Sequence, residues 1–255
     1  MFCATDISVK VQDKMLIESV CFELHEGDWL MITGRNGAGK STLINAISQK
    51  VNYSGKFEYE GQDIKYFKPN NFAKRIGVLK QGLSADYSFT VGEVVKLGRY
   101  AYSGGIFSAL SELDEQMIEN ALEVTGLQSI VNQSILTLSG GELQRTFLAQ
   151  LFAQDPKILI LDEPTSHLDI TFQKQIFDLI GEWLKQENKA VISVVHDLNL
   201  AKAYGTHTLL LNKGKTVAYG KSNEALSKEN LEKAYSIDVY SLMQGLLGSW
   251  NGAKT

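Results

Sequence analysis

Eight consecutive residues constrain this chain more than any others: Gly34-Arg35-Asn36-Gly37-Ala38-Gly39-Lys40-Ser41. The apolar run Trp29-Thr33 before them predicts a buried strand, and Lys40–Ser48 after them predicts a helix. A strand, a glycine-rich turn and a helix in that order let backbone N–H groups close around an anion. The helix N-terminus aims the positive end of its dipole at the same point. Lys40 adds a mobile charge suited to the outer phosphates of a nucleotide, and the Ser41 hydroxyl can ligate Mg²⁺. Gly34, Arg35, Asn36, Gly37, Ala38, Gly39, Lys40, Ser41 and Thr42 are therefore candidate phosphate-binding residues.

A second constellation, Ile158-Leu159-Ile160-Leu161-Asp162-Glu163, is a continuous apolar strand ending in two acids. Buried strands rarely end so unless the acids have chemical work. Asp162 can bind Mg²⁺ through water, Glu163 can polarise an attacking water as general base, and Pro164 stiffens the exit. A third, Leu138-Ser139-Gly140-Gly141-Glu142, precedes the amphipathic segment Leu143–Gln154. Two glycines before a helix make another anion-binding N-terminus, with the Ser139 hydroxyl as an extra donor. One nucleotide needs one phosphate cradle, so the second cradle implies a nucleotide held by another copy of the chain.

Charge and texture exclude several classes. The net charge is −4 and no stretch is rich in Lys or Arg, which argues against a large nucleic-acid footprint. Cys3 and Cys21 form no metal-ligand spacing and read as reduced thiols. Met1–Lys14 lacks the pattern of a signal peptide. The apolar runs Ile158-Leu161, Val191-Val195 and Leu209-Leu211 fall short of the ~18 residues a membrane span needs, so any membrane connection must come through a partner.

Further strands are predicted at Ser8-Val11, Val20-Leu24, Lys56-Tyr59, Ile76-Leu79, Thr208-Leu211 and Thr216-Tyr219, and a helix at Phe172-Leu184. Thr90-Leu97 and Glu112-Thr125 carry apolar residues at helical spacing. Continuous apolar strands between amphipathic helices predict an α/β fold with a mostly parallel sheet covered on both faces.

The phosphate loop, LSGGE and the LILDEP strand, in that order, resemble the ABC ATPase family over about Ile7 to Val239. The resemblance implies a single ABC ATPase domain over 1–255. It would have a P-loop NTPase core, an N-terminal antiparallel β subdomain and a helical subdomain inserted at about 84–137. It further implies ATP and Mg²⁺ as ligands and a head-to-tail homodimer. Each nucleotide would lie between the loop of one chain and Ser139, Gly140, Gly141 and Glu142 of the other.

Gln81 resembles the glutamine that contacts Mg²⁺ and the nucleophilic water. Ser166-His167-Leu168-Asp169 resembles the loop that crosses the dimer interface, which adds Asp169 to the nucleotide-contacting set. His196 resembles the switch histidine that hydrogen-bonds the γ-phosphate and holds Glu163 and water in place. With Glu163 and Gln81 it completes the catalytic set, while Ser41, Gln81 and Asp162 form the metal set. His25 and His207 match no motif. Relatives usually carry an aromatic residue that stacks on adenine where this chain has Val11, so weak base discrimination is expected.

The resemblance also implies partners. A membrane permease would dock on Gly82 to Tyr102 at the cytoplasmic face of the membrane, and a periplasmic or lipid-anchored substrate-binding protein would act indirectly. Phe89-Thr90-Val91, Leu97-Gly98-Arg99-Tyr100, His196-Asp197-Leu198-Asn199-Leu200-Ala201 and Tyr235-Ser236-Ile237-Asp238-Val239 resemble importers of ferric siderophores, haem and cobalamin. Zinc or manganese import, molybdate import and export are the alternatives. A translation-associated protein would carry two ATP-binding halves, and a chromosome-maintenance ATPase would carry a long coiled coil between Ser41 and Leu138. Neither feature is present.

Overall fold

The computed structural model describes residues 1–80, 82, 88–102, 109–166 and 168–250, with the backbone alone at 249 and 250. In chain order the elements begin with β1 (Phe2–Val11), β2 (Lys14–Leu24), β3 (Trp29–Gly34), α1 (Lys40–Ile47), β4 (Ser54–Tyr59), β5 (Gln62–Asp63), α2 (Pro69–Ala73) and β6 (Ile76–Leu79). Then come α3 (Val91–Leu97), α4 (Glu112–Val124), α5 (Gly140–Gln154), β7 (Ile158–Asp162), α6 (Ile170–Leu184), β8 (Ala190–Val194) and α7 (Leu198–Tyr204). The chain closes with β9 (His207–Asn212), β10 (Lys215–Lys221), α8 (Ser222–Ala225), α9 (Lys228–Tyr235) and α10 (Val239–Trp250).

These elements fall into two compact units. One comprises Met1, Leu24–Trp29 and Tyr59–Ser193. Its β6 and β7 pair in parallel from Ile76 opposite Ile158 to Leu79 opposite Leu161, and β8 lies next to β7. β7 is buried at every position, as expected of a strand covered on both faces. Trp29 stacks on Phe177 of α6 at 5.3 Å and donates its indole N–H to Ser193 Oγ at 2.9 Å. A buried indole is tolerated here because its one polar atom has a partner.

Helices α3 and α4 both pack on α5. Gly98 makes the α3 side of that contact possible, since a Cβ there would stand 2.2 Å from the carbonyl oxygen of Gln150. Arg99 follows. It is 3% exposed, its Nε donates to Asp114 Oδ1 at 2.7 Å, and its Nη1 donates to the Ala153 carbonyl at 2.8 Å.

The other unit comprises Phe2–Glu23, Leu30–Glu58 and Val194–Thr255. Strands β2, β1 and β4 lie side by side in an antiparallel sheet. Phe2, Phe22, Phe57 and Tyr53 form an aromatic cluster beneath it. β3 pairs in parallel with β9, and β9 pairs antiparallel with β10. Just past β8, Val195 donates its N–H to the Ile32 carbonyl at 3.1 Å.

The predicted strands and long helices appear, with shifted ends. α5 starts at Gly140 and α6 at Ile170, because Ser139 and Asp169 take the N-cap positions and draw the next residues into the first turn. The short helices α2 and α7 and the short strand β5 are not predicted from the sequence. The five residues of α2 are too few to show a helical period. Of the segment from Gln244 to Thr255, residues 244–250 are helical, as the end of α10. Among the described residues, no helix is long and apolar enough to cross a membrane.

Candidate functional site

Strand β3 is buried throughout and delivers the chain to Gly34, whose φ is 143°. Gly34 runs so close to β9 that a Cβ would stand 2.1 Å from the Leu211 carbonyl oxygen. At the far end of the loop Gly39 has a φ of 101°, and a Cβ there would meet Ile17 Cδ1 at 2.5 Å. The two outer glycines are thus fixed by close approach to their own unit, and their left-handed conformation turns the loop. Gly39 is also the N-cap of α1 and contributes no side-chain cap, so the helix end is left for an outside acceptor.

Lys40 is 5% exposed. Its ammonium donates to the Gly34 carbonyl at 2.8 Å and the Arg35 carbonyl at 3.1 Å. The charge is thereby held over the loop it follows. Ser41 and Thr42 occupy the first turn of α1.

A cavity of about 340 Å³ opens at the start of this loop, lined by Gly34, Arg35, Asn36, His196 and Tyr235. His196 is exposed there, between β8 and α7, and Asp197 caps α7 by accepting from the Asn199 N–H at 2.7 Å. The structure thus brings His196 to the start of the loop. It also adds Tyr235, which sequence reasoning did not count as a site residue. The Tyr235 hydroxyl lies 3.4 Å from Thr33 Oγ1 and hydrogen-bonds with the Gly34 backbone. Burial pushes its pKa up, against the effect of those bonds, and keeps the phenol protonated.

In the other unit, β7 ends at Asp162, which is 8% exposed. Glu163 follows at a φ of 52°, a left-handed conformation that an L side chain adopts at a cost of roughly 1–2 kcal/mol. The turn is fixed from behind: Ser166 donates both its N–H, at 3.2 Å, and its hydroxyl, at 3.1 Å, to the Glu163 carbonyl. Asp169 caps α6 by accepting from the N–H groups of Thr171 and Phe172 at 2.9 and 3.0 Å.

Ser139 and Glu142 close the start of α5 as a capping box. The Glu142 carboxylate accepts from the Ser139 N–H at 2.8 Å and from its hydroxyl at 2.7 Å. Those bonds hold the Glu142 carboxyl below its usual range. In this structure the Ser139 hydroxyl donates to Glu142. Gly140 is exposed at the helix end, while Gly141 is buried.

Gln81 and His167 lie outside the described residues, as do 83–87 within the expected docking segment Gly82 to Tyr102. Ser41 of one unit offers a hydroxyl and Asp162 of the other a buried carboxylate, each an oxygen donor of the kind Mg²⁺ takes. Among the described residues, no group of three or more His, Cys, Asp and Glu could hold a metal ion by itself.

The family described as ABC transporter matches residues 17–166, more than half of the chain. The ferric enterobactin transport ATP-binding protein FepC of Escherichia coli (strain K12) is 35% identical over 221 residues, covering 86% of this chain and 81% of that protein. The ABC transporter ATP-binding protein YvrA of Bacillus subtilis (strain 168) is 35% identical over 232 residues, 91% of this chain. The chain spans only 52% of that relative's length. A solved inward-facing conformation of an ABC transporter, described as of metal-chelate type, aligns with a TM-score of 0.80 at 28% identity, covering 93% of this chain and 89% of that one. The chain therefore belongs to the ABC transporter family as one of its ATPases.

Proposed function

We propose that this chain is the ATP-hydrolysing subunit of an importer of metal chelates: ferric siderophores first, with haem and cobalamin in the same class. The observation that carries the reading is the cavity that sets His196 beside Gly34, Arg35 and Asn36. The likeness to FepC supports the class of cargo.

In this reading the loop backbone and the α1 N-terminus bind the phosphates, and Lys40 neutralises the outer ones. Glu163 takes a proton from the attacking water. His196 and Gln81 orient that water and the γ-phosphate. Ser41, Asp162 and Gln81 would hold Mg²⁺, which would supply charge neutralisation at the phosphates.

Two chains assemble head to tail, with the α5 end of one, from Ser139 to Glu142, completing the nucleotide site of the other. Asp169 belongs to the segment that crosses the seam. Because donors from both chains converge on the γ-phosphate, closure depends on an intact triphosphate, and hydrolysis reopens the dimer. The dimer works on the cytoplasmic face of a membrane permease, which passes on cargo delivered by a periplasmic or lipid-anchored binding protein. The permease docks on the stretch from Gly82 to Tyr102.

The test is to tag the chain in its native cell, starve the cell of iron and identify what co-purifies from detergent-solubilised membranes. A many-spanning permease is expected. Recovery of ribosomes or DNA-associated proteins, with no membrane partner under any condition, would overturn the transport reading.

A further inference from the structure

The mechanism above gives no work to Tyr235, yet its side chain lines the same cavity as His196. We propose that Tyr235 is a positioning residue for hydrolysis, acting through the first peptide of the phosphate loop. The inference rests on the proposed ATPase role of that loop.

Gly34 is the point of convergence. On one side the Leu211 carbonyl leaves no room for a Cβ. Its own carbonyl holds the Lys40 ammonium at 2.8 Å. Its backbone is bonded to the Tyr235 hydroxyl, which also reaches Thr33 Oγ1, a fully buried hydroxyl. The phenol is itself anchored. Tyr235 ends α9, and two residues earlier Asn212 of β9 donates its side-chain amide to the Lys233 carbonyl at 3.3 Å. The last helical residue before a left-handed Ser236 is thus tied to the strand that flanks the loop.

Of the two groups assigned to the outer phosphate, Lys40 is held by the Gly34 carbonyl and His196 lines the cavity that opens at Gly34. The phosphates nearer the nucleoside depend instead on the loop N–H groups and the α1 end. Losing the Tyr235 hydroxyl should therefore slow turnover of ATP and leave binding of ADP alone.

The experiment compares wild type with Tyr235→Phe, which keeps the ring and its packing. ATP turnover is measured with the permease in detergent or nanodiscs, and ADP affinity is measured by titration calorimetry. The expected result is a kcat about five- to tenfold lower, the size of one lost hydrogen bond, with the ADP Kd within about twofold of wild type. A structural role alone would lower the thermal midpoint and leave kcat unchanged, and that would overturn the inference. So would a parallel loss of ADP affinity, which would mean that the whole loop had loosened. A wild-type chain that hydrolyses no ATP would overturn the ATPase reading itself, and this inference with it.

Discussion

The first turn of α5 sets Gly141 against the ring of Phe172 on α6, so that a Cβ on Gly141 would stand 2.7 Å from Phe172 Cδ1. The second glycine of Ser139-Gly140-Gly141-Glu142 is therefore a packing requirement. Gly141→Ala should destabilise the chain by about 1–3 kcal/mol, the range for overpacking. Chemical denaturation of Gly141→Ala, Phe172→Ala and the double variant measures this. The double variant should lose less than the sum of the two singles. Strict additivity would show that the ring is not what excludes the methyl group.

Lys40 gives the sharpest test of the loop. Lys40→Met removes the ammonium and leaves the Gly34 and Arg35 carbonyls without that donor. ATP turnover should fall about a hundredfold or more, because the lost charge acts on the transferring phosphoryl group. Turnover within about twofold of wild type would remove the phosphate role from this loop.

Glu163→Gln keeps the size of the side chain and the turn held by Ser166. The variant should bind ATP, hydrolyse it very slowly and accumulate as a closed dimer with the permease. Light scattering and single-turnover kinetics report the two effects, and normal turnover would remove Glu163 as the base.

Val11 is 46% exposed at the end of β1, the position where the family resemblance implies an aromatic stacked on adenine. Wild type should therefore discriminate poorly between ATP and GTP in a competition assay. Val11→Tyr should tighten ATP by about tenfold, the scale of one base–aromatic stack. A strong ATP preference in wild type that no change near Val11 abolishes would show that the base is held elsewhere.

Asp114 links acid stability to the buried Arg99. Its carboxylate accepts from the Ser111 hydroxyl at 2.7 Å and from Arg99 Nε at 2.7 Å. Chiefly the Ser111 bond, then that of Arg99, lowers its pKa from 3.8 to about 2. A depressed carboxylate pKa stabilises the fold above the unfolded value and loses that contribution as pH falls toward the folded one. Asp114→Asn should thus cost stability at neutral pH and flatten the decline between about pH 4 and pH 2. Unfolding midpoints across that window check it, and parallel acid limbs would contradict the assignment.

Arg99 also shows where local reading stops. Leu97-Gly98-Arg99-Tyr100 carried a resemblance to metal-chelate importers. In the structure Gly98 is demanded by the Gln150 carbonyl, and Arg99 joins Asp114, Ala153 and the ring of Tyr102, 3.8 Å from its centroid. In this chain those two residues build the seat of α3 on α5, so a packing requirement accounts for both. Similarly, Ser139 and Asp169 match family positions by sequence, but their hydrogen bonds are those of helix caps.

The sequence by itself determined the phosphate loop, the acidic strand end and the order of strands and long helices. Each is encoded locally, by hydrophobic period, by glycine at positive φ and by the residues next in line. Only the tertiary structure decided that Tyr235 stands at Gly34, that Phe172 fills the space a side chain on Gly141 would need, and that Arg99 closes on Asp114. These pairs are joined by packing across long separations, such as the 202 residues between Thr33 and Tyr235, and no local pattern records which distant side chain will arrive.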